Sequence, residues 1–264
     1  MFTKEQILTQ LNNLNVPNGK PVIVHTSLRA VGEIQGGAQT LLDALIERFT
    51  AYGGLLIIPT HTWANFEDKK EIVLDYTSDQ TCTGVLSNVA LSDKRGYRSY
   101  NPTHSVMVFG DKAKEFARLD DNVLTPCSPK GCHGKIINDG GYVLLIGIGQ
   151  EKNTLLHCVE EILDMPNRIS NLPVKMMIKK SDGSLTSREF HYLTEKIGDT
   201  SLYFPKYESA FRYHNGITDG IIGNAKVQVC SALIMKKVAS LIYERCEKAE
   251  LFANDEPINP KFYK

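Results

Sequence analysis

Gly141-Tyr-Val-Leu-Leu-Ile-Gly147 is an apolar run set between two glycines, and a short turn separates it from Asn153-Thr-Leu-Leu-His-Cys-Val-Glu-Glu-Ile-Leu-Asp-Met165. The run is continuous rather than alternating and only five residues long between its glycines. It therefore predicts a strand covered on both faces. The second segment has helical spacing and stops at Pro166, which predicts a helix over 153–165. Two earlier runs have the same character. Pro21-Val-Ile-Val24 leads into His25-Thr26-Ser27, and Leu55-Leu-Ile-Ile58 leads into Pro59-Thr-His-Thr-Trp63. Between these two runs, Leu41, Leu42, Leu45 and Phe49 mark a helix, so the order is strand, helix, strand, the pattern of a right-handed parallel unit.

Working outward, Ile7, Leu8, Leu11 and Leu14 predict an amphipathic opening helix, halted by Pro17-Asn18-Gly19. Residues 65–100 lose the pattern apart from a helix near 85–91, and they read as an excursion able to line an acceptor site. Ser105-Val-Met-Val-Phe109 predicts a further strand and 112–119 a short helix. Residues 174–179 and 185–192 flank Ser181-Asp182-Gly183 as a hairpin, while 225–248 has the periodicity of one long helix. The expected fold is a single α/β domain. It is a three-layer α/β/α sandwich with a mixed, largely parallel central sheet and an antiparallel C-terminal portion.

Composition narrows the class of partner. Thirty basic residues balance thirty acidic ones, which leaves no overall field to draw the chain onto nucleic acid or an anionic membrane. Small molecules are the expected partners. The six cysteines form no C-x-x-C pair or framework, as suits free thiols and a cytoplasmic location. No apolar signal core opens the sequence, and no stretch reaches the roughly 18–20 apolar residues of a membrane span.

All three runs of the parallel type end in loops rich in Thr, Ser, His or Asn, and ligands of open α/β sheets bind beyond the carboxyl ends of the strands. On the 153–165 helix, Leu155, Val159, Ile162 and Leu163 share one face, and His157, Glu160, Glu161 and Asp164 share the other. His157 and Glu160 are thus neighbours. A carboxylate there favours the imidazolium and makes the histidine a candidate base, while Glu161 and Asp164 suit a cationic acceptor. The same spacing also describes a solvated helix face. His25-Thr-Ser-Leu-Arg-Ala-Val-Gly32 offers hydroxyls, a guanidinium and backbone N–H groups for a pyrophosphate, or simply a polar turn. His61 and His104 read as loop-bracing residues, and Trp63 as core or pocket wall.

Rival motifs are missing. The sequence has no G-x-S-x-G, no phosphate loop, no complete dinucleotide fingerprint, no H-E-x-x-H and no paired-cysteine zinc spacing, so no metal is expected.

The ordered set His25-Thr-Ser-Leu28, Gly36-Gly37, Pro59-Thr-His-Thr-Trp63, Arg98-Ser-Tyr-Asn-Pro-Thr-His-Ser105, Ser128-Pro129, Asn153-Thr-Leu-Leu-His-Cys-Val-Glu160 and Gly220-Ile-Ile-Gly-Asn-Ala225 resembles the aminoglycoside 3-N-acetyltransferase family over nearly the whole chain. The resemblance implies the antibiotic N-acetyltransferase fold and direct transfer from acetyl-coenzyme A to an amine. It makes His157 the general base and Glu160 its orienting partner. It assigns coenzyme A contacts to His25, Thr26, Ser27, Leu28, Arg29, Val31, Ser105 and Val106. From the helix-face spacing and the pocket-wall reading, Glu161, Asp164 and Trp63 are the acceptor-side candidates. Asn88 and Asn101 depart from the family pattern, which bears on acceptor specificity. Besides an aminoglycoside, the acceptor could be an amino sugar or a polyamine, and a non-catalytic coenzyme A-binding protein is the reading from another class.

Overall fold

In the computed structural model, which describes all 264 residues apart from Asp79, Glu195 and Ile197, Thr3 starts the first helix through a capping box. Gln6 N donates to Thr3 Oγ1 at 3.3 Å, and the Thr3 amide donates to Gln6 Oε1 at 2.9 Å. In chain order the helices are α1 (Lys4–Asn12), α2 (Leu28–Val31), α3 (Gly37–Thr50), α4 (Trp63–Glu67), α5 (Val85–Ser92), α6 (Ala113–Ala117), α7 (Cys132–Asn138), α8 (Leu155–Ile162), α9 (Glu208–Tyr213) and α10 (Ala232–Arg245). The strands are β1 (Pro21–Thr26), β2 (Leu55–Pro59), β3 (Ile72–Asp75), β4 (Tyr97–Arg98), β5 (Val106–Phe109), β6 (Tyr142–Ile146), β7 (Val174–Lys179), β8 (Leu185–Phe190), β9 (Ile217–Ile222) and β10 (Ala225–Ser231).

Seven strands form one sheet in the order β4-β5-β2-β1-β6-β10-β9. Alternation along its central strands decides the layering. Val22, Val24, Leu56, Ile58, Leu144 and Ile146 belong to one core with Leu41, Leu42 and Leu45 of α3, and Ile23, Ile57, Val143 and Leu145 belong to a second core with Leu155, Val159, Met235 and Val238 of α8 and α10. Successive side chains leave a strand on opposite faces, so a run that is apolar throughout requires helices on both sides. The expected three-layer α/β/α sandwich is the result.

The parallel part is confined to the centre, where β1 pairs with β2 on one side and β6 on the other. β5, β4, β10 and β9 all join antiparallel. From β1 the chain crosses by α3 to β2, and it returns to the opposite side of β1 as β6, which opens a crevice at the carboxyl ends of these strands. Gly147, at φ +68, turns the chain out of β6, and a Cβ there would lie 2.3 Å from Ala30 Cβ.

Two sequence expectations are corrected. Residues 225–248 are β10 followed by α10, not one helix, because Val227 and Val229 alternate into the core while backbone pairing binds the strand antiparallel to β6 and β9. The expected helix over 153–165 spans only Leu155–Ile162, since Asp164 takes a left-handed φ of 50° that ends it before Pro166. The hairpin of β7 and β8 does form, but it builds a separate three-stranded sheet with β3. Among the described residues no helix is long and apolar enough to cross a membrane.

Candidate active site

A cavity of about 990 Å³ opens at the carboxyl ends of the parallel strands, near the top of the ~300–1,000 Å³ range of small-molecule sites. Val24, His25 and Thr26 come to it from β1, Pro59 from the end of β2 and His61 from the loop after it, and Ile148, Asn153 and His157 from the loop and helix after β6. Phe66, Thr83 and Leu86, from the 65–100 excursion, line it as well.

His157 occupies the inner wall, with its ring edge-on to Phe204 at 4.8 Å between centroids. Its Nδ1 lies 3.0 Å from Glu160 Oε2. An ionised carboxylate only accepts, so Nδ1 carries the proton and Nε2 keeps its lone pair. The other oxygen, Glu160 Oε1, accepts from Arg168 Nε at 2.5 Å, and Arg168 Nη1 and Nη2 grip Glu250 at 2.8 and 2.9 Å. Both Glu160 and Arg168 are buried. Burial pulls the Arg168 guanidinium down, but its bonds to Glu250 and Glu160 outweigh this and leave it above its ordinary value. The helix face bearing His157 and Glu160 is therefore not solvated.

The loop that launches α8 is braced from below. Gln150 donates to Gln228 Oε1 of β10 at 2.7 Å, and Asn153 donates to Gln150 Oε1 at 2.8 Å. Four unpartnered polar atoms, His25 Nε2, Thr26 Oγ1, His61 Nε2 and Asn153 Oδ1, belong to described residues that line the cavity. Exposed Lys152 and Lys196 stand among the lining residues. Acceptor atoms and a hydroxyl inside, with ammonium groups outside, fit a ligand that has amide N–H groups on an arm and phosphates at its end.

His25, His61 and His104 line the cavity, and His133 on α7 is buried behind it. Burial together with the neighbouring His133 pushes His25 down to about 3. Burial and His157 push His133 down to about 4. Burial, reinforced by neighbouring histidines, holds His61 and His104 well below their ordinary range. All four are neutral at pH 7. The His61 and His104 rings sit 4.6 Å apart, and His104 Nδ1 meets Thr103 Oγ1 at 2.9 Å.

Several sequence candidates lie elsewhere. Ser27 caps α2, Arg29 is exposed, Val31 is core, and none of these, nor Leu28, lines the cavity. Ser105 and Val106 are buried at the start of β5, where Ser105 Oγ donates to Thr60 O at 2.7 Å and Val106 N donates to Ser99 Oγ at 3.1 Å. Trp63 does line the cavity. Glu161 turns the other way, accepting from Thr125 Oγ1 at 2.6 Å and Cys127 N at 3.0 Å, and burial raises its carboxyl above the usual range. Asp164 is exposed at the helix end. Neither acid faces an acceptor. Asn88 accepts from Thr81 N, and buried Asn101 ties Thr103, His104 and Pro126 together, so both departures from the family pattern brace loops. Arg168, Glu250 and Gln150 escaped sequence reading, because none has a motif and each finds its partners across long stretches of chain. Among the described residues no group of three or more His, Cys, Asp or Glu side chains could hold a metal ion.

Residues 23–243 match the family described as aminoglycoside 3-N-acetyltransferase. The chain belongs to that family. Aminoglycoside N(3)-acetyltransferase IV of a Salmonella species is 28% identical over 170 residues, covering 62% of this chain and 61% of the relative. The chain thus matches less than two thirds of that relative's length. Among solved structures, apo aminoglycoside acetyltransferase AAC(3)-IVa aligns with a TM-score of 0.77 at 23% identity, covering 99% of this chain and 96% of the other. AAC-IIIb in binary complex with CoASH aligns with a TM-score of 0.78 at 22% identity, covering 92% and 97%. At these identities the structural likeness establishes the fold.

Proposed function

We propose that this protein transfers the acetyl group of acetyl-coenzyme A directly to an amine, the 3-amino group of an aminoglycoside, with His157 as general base. The observation that carries the reading is the buried His157–Glu160 bond of 3.0 Å at the wall of the cavity. Family membership and the coenzyme A complex of a related fold support acetyl-coenzyme A as donor.

In this reading the amine nitrogen forms a bond to the thioester carbonyl carbon as His157 Nε2 takes its proton. The carbon–sulfur bond then breaks, and the proton passes from His157 to the departing thiolate. Glu160 balances the imidazolium between these steps. The Thr26 hydroxyl, which lines the cavity without a partner, is the donor offered to the developing oxyanion, a role worth on the order of 3 kcal/mol.

One observation favours a second acceptor class. The described acids in the lining are Glu67, Glu151 and Asp199, faced by Lys152 and Lys196, while Arg168 is paired with Glu160 and Glu250, which leaves little excess of negative charge for a polycation. An amino sugar with a single ammonium suits such a wall. Thiol release from acetyl-coenzyme A, measured with a panel of aminoglycosides, amino sugars and polyamines, separates the two readings. Binding of acetyl-coenzyme A without thiol release from any amine would sink both.

A further inference from the structure

Outside the matched region 23–243, the chain continues past α10 and folds back toward the cavity. Phe252 is buried against Phe204, Tyr203 and Tyr207, and Lys206 Nζ donates to Leu251 O and to Asn254 O at 3.1 Å. That clasp delivers Glu250 to Arg168. Glu250 Oε1 also accepts from Phe252 N at 2.9 Å, and the Arg168 guanidinium carbon lies 5.3 Å from the Phe252 ring centroid.

We propose that Arg168 is the positioning residue of the His157/Glu160 pair, and that the C-terminal segment holds it in place through Glu250 and Phe252. The proposal rests on the reading of His157 as base. Each oxygen of Glu160 has one donor, His157 on Oε2 and Arg168 on Oε1, so the carboxylate plane is fixed from both edges. Arg168 is fixed in turn, since Nε faces Glu160, both terminal nitrogens face Glu250, and Nη1 also donates to Pro166 O at 3.0 Å. Only a planar guanidinium serves two carboxylates along two edges at once, whereas a lysine ammonium is a single point charge.

The charges alternate. Glu160, Arg168 and Glu250 together carry one net negative charge, which a proton on His157 cancels. Locking Glu160 also locks the proton of neutral His157 onto Nδ1, the tautomer that presents the Nε2 lone pair. Loss of Arg168 frees a buried carboxylate to rotate or take up a proton, and a protonated Glu160 can donate to Nδ1 and move the ring proton to Nε2.

The test is the tautomer of His157, read from ring nitrogen shifts of histidine-labelled protein and assigned by the signals lost in His157→Ala. Wild type is expected as the Nδ1–H form, Arg168→Met and Glu250→Gln as mixtures, and Arg168→Lys between them. Turnover of gentamicin with acetyl-coenzyme A should fall in Arg168→Met by about ten- to a hundredfold in kcat, with KM for the donor within about twofold, the size that outer partners of a functional histidine carry. A folded Arg168→Met protein with the wild-type tautomer overturns the proposal. Should Arg168→Met not fold, a wild-type tautomer in Glu250→Gln does the same. If His157→Ala keeps full turnover, the base assignment falls, while the tautomer result still judges the clamp on its own.

Discussion

Five histidines meet at one end of this sheet, and they fall into two regions with opposite electrostatics. His157 stands in a chain of alternating charges that runs through Glu160, Arg168 and Glu250. His25, His61, His104 and His133 have other histidines as their titratable neighbours, His157 among them for all but His25, and burial keeps them neutral. The same side chain thus has a carboxylate partner in one place and burial without one in the other. What differs is a carboxylate within hydrogen-bond reach, and with it the compensation for a buried charge.

The largest effect expected from breaking this division is at His157. His157→Ala should lower kcat by on the order of 10²–10⁴-fold, the usual worth of a general base, in an acetyl-transfer assay with saturating acetyl-coenzyme A. The corresponding loss for His61→Gln should be much smaller, and equal losses would erase the distinction between the regions.

Acid should expose the neutral group next. Their folded values lie below the unfolded value of about 6.5, so the unfolded chain binds protons that the native one refuses, and stability is lost as pH falls from 6.5 toward 4 for His133 and toward 3 for His25. Each such histidine costs about 1.4 kcal/mol per pH unit within its window. Thermal melts between pH 7.5 and 5 should show a steep fall in Tm below 6.5. A flat profile would mean that these rings are protonated in the native state.

Ser105→Ala should cost about 1–3 kcal/mol of stability in chemical denaturation, through loss of the buried bonds its hydroxyl makes with the Thr60 carbonyl and Arg98 Nε, yet leave acetyl-coenzyme A binding unchanged in calorimetry. A weakened affinity would restore Ser105 to the cofactor site. Asp164→Gly is the smallest change, within about 0.5 kcal/mol and without effect on turnover, because the residue is exposed at a left-handed position that glycine accepts.

The legible parts of the sequence were those whose cause is local. The apolar runs at 21–24, 55–58 and 141–147 became the three parallel strands, and the i, i+3 spacing of His157 and Glu160 became a real hydrogen bond. Residues 225–231 misled because Val229 and Leu233 fit a helical period as well as Val227 and Val229 fit a strand, and only pairing with β6 and β9 chooses between them. Asn101 drew attention as a departure in a motif and turned out to secure a loop.

By itself the sequence determined the alternation of strands and helices, the crevice at their carboxyl ends and the pairing of His157 with Glu160, since each follows from chain periodicity over a few residues. The tertiary structure alone decided which polar groups on that helix face water. Glu161 is claimed by Thr125 and Cys127, and Arg168 by Glu250, 82 positions away in the chain. Burial and charge compensation belong to whatever distant segment packs against a side chain, and no local spacing encodes them.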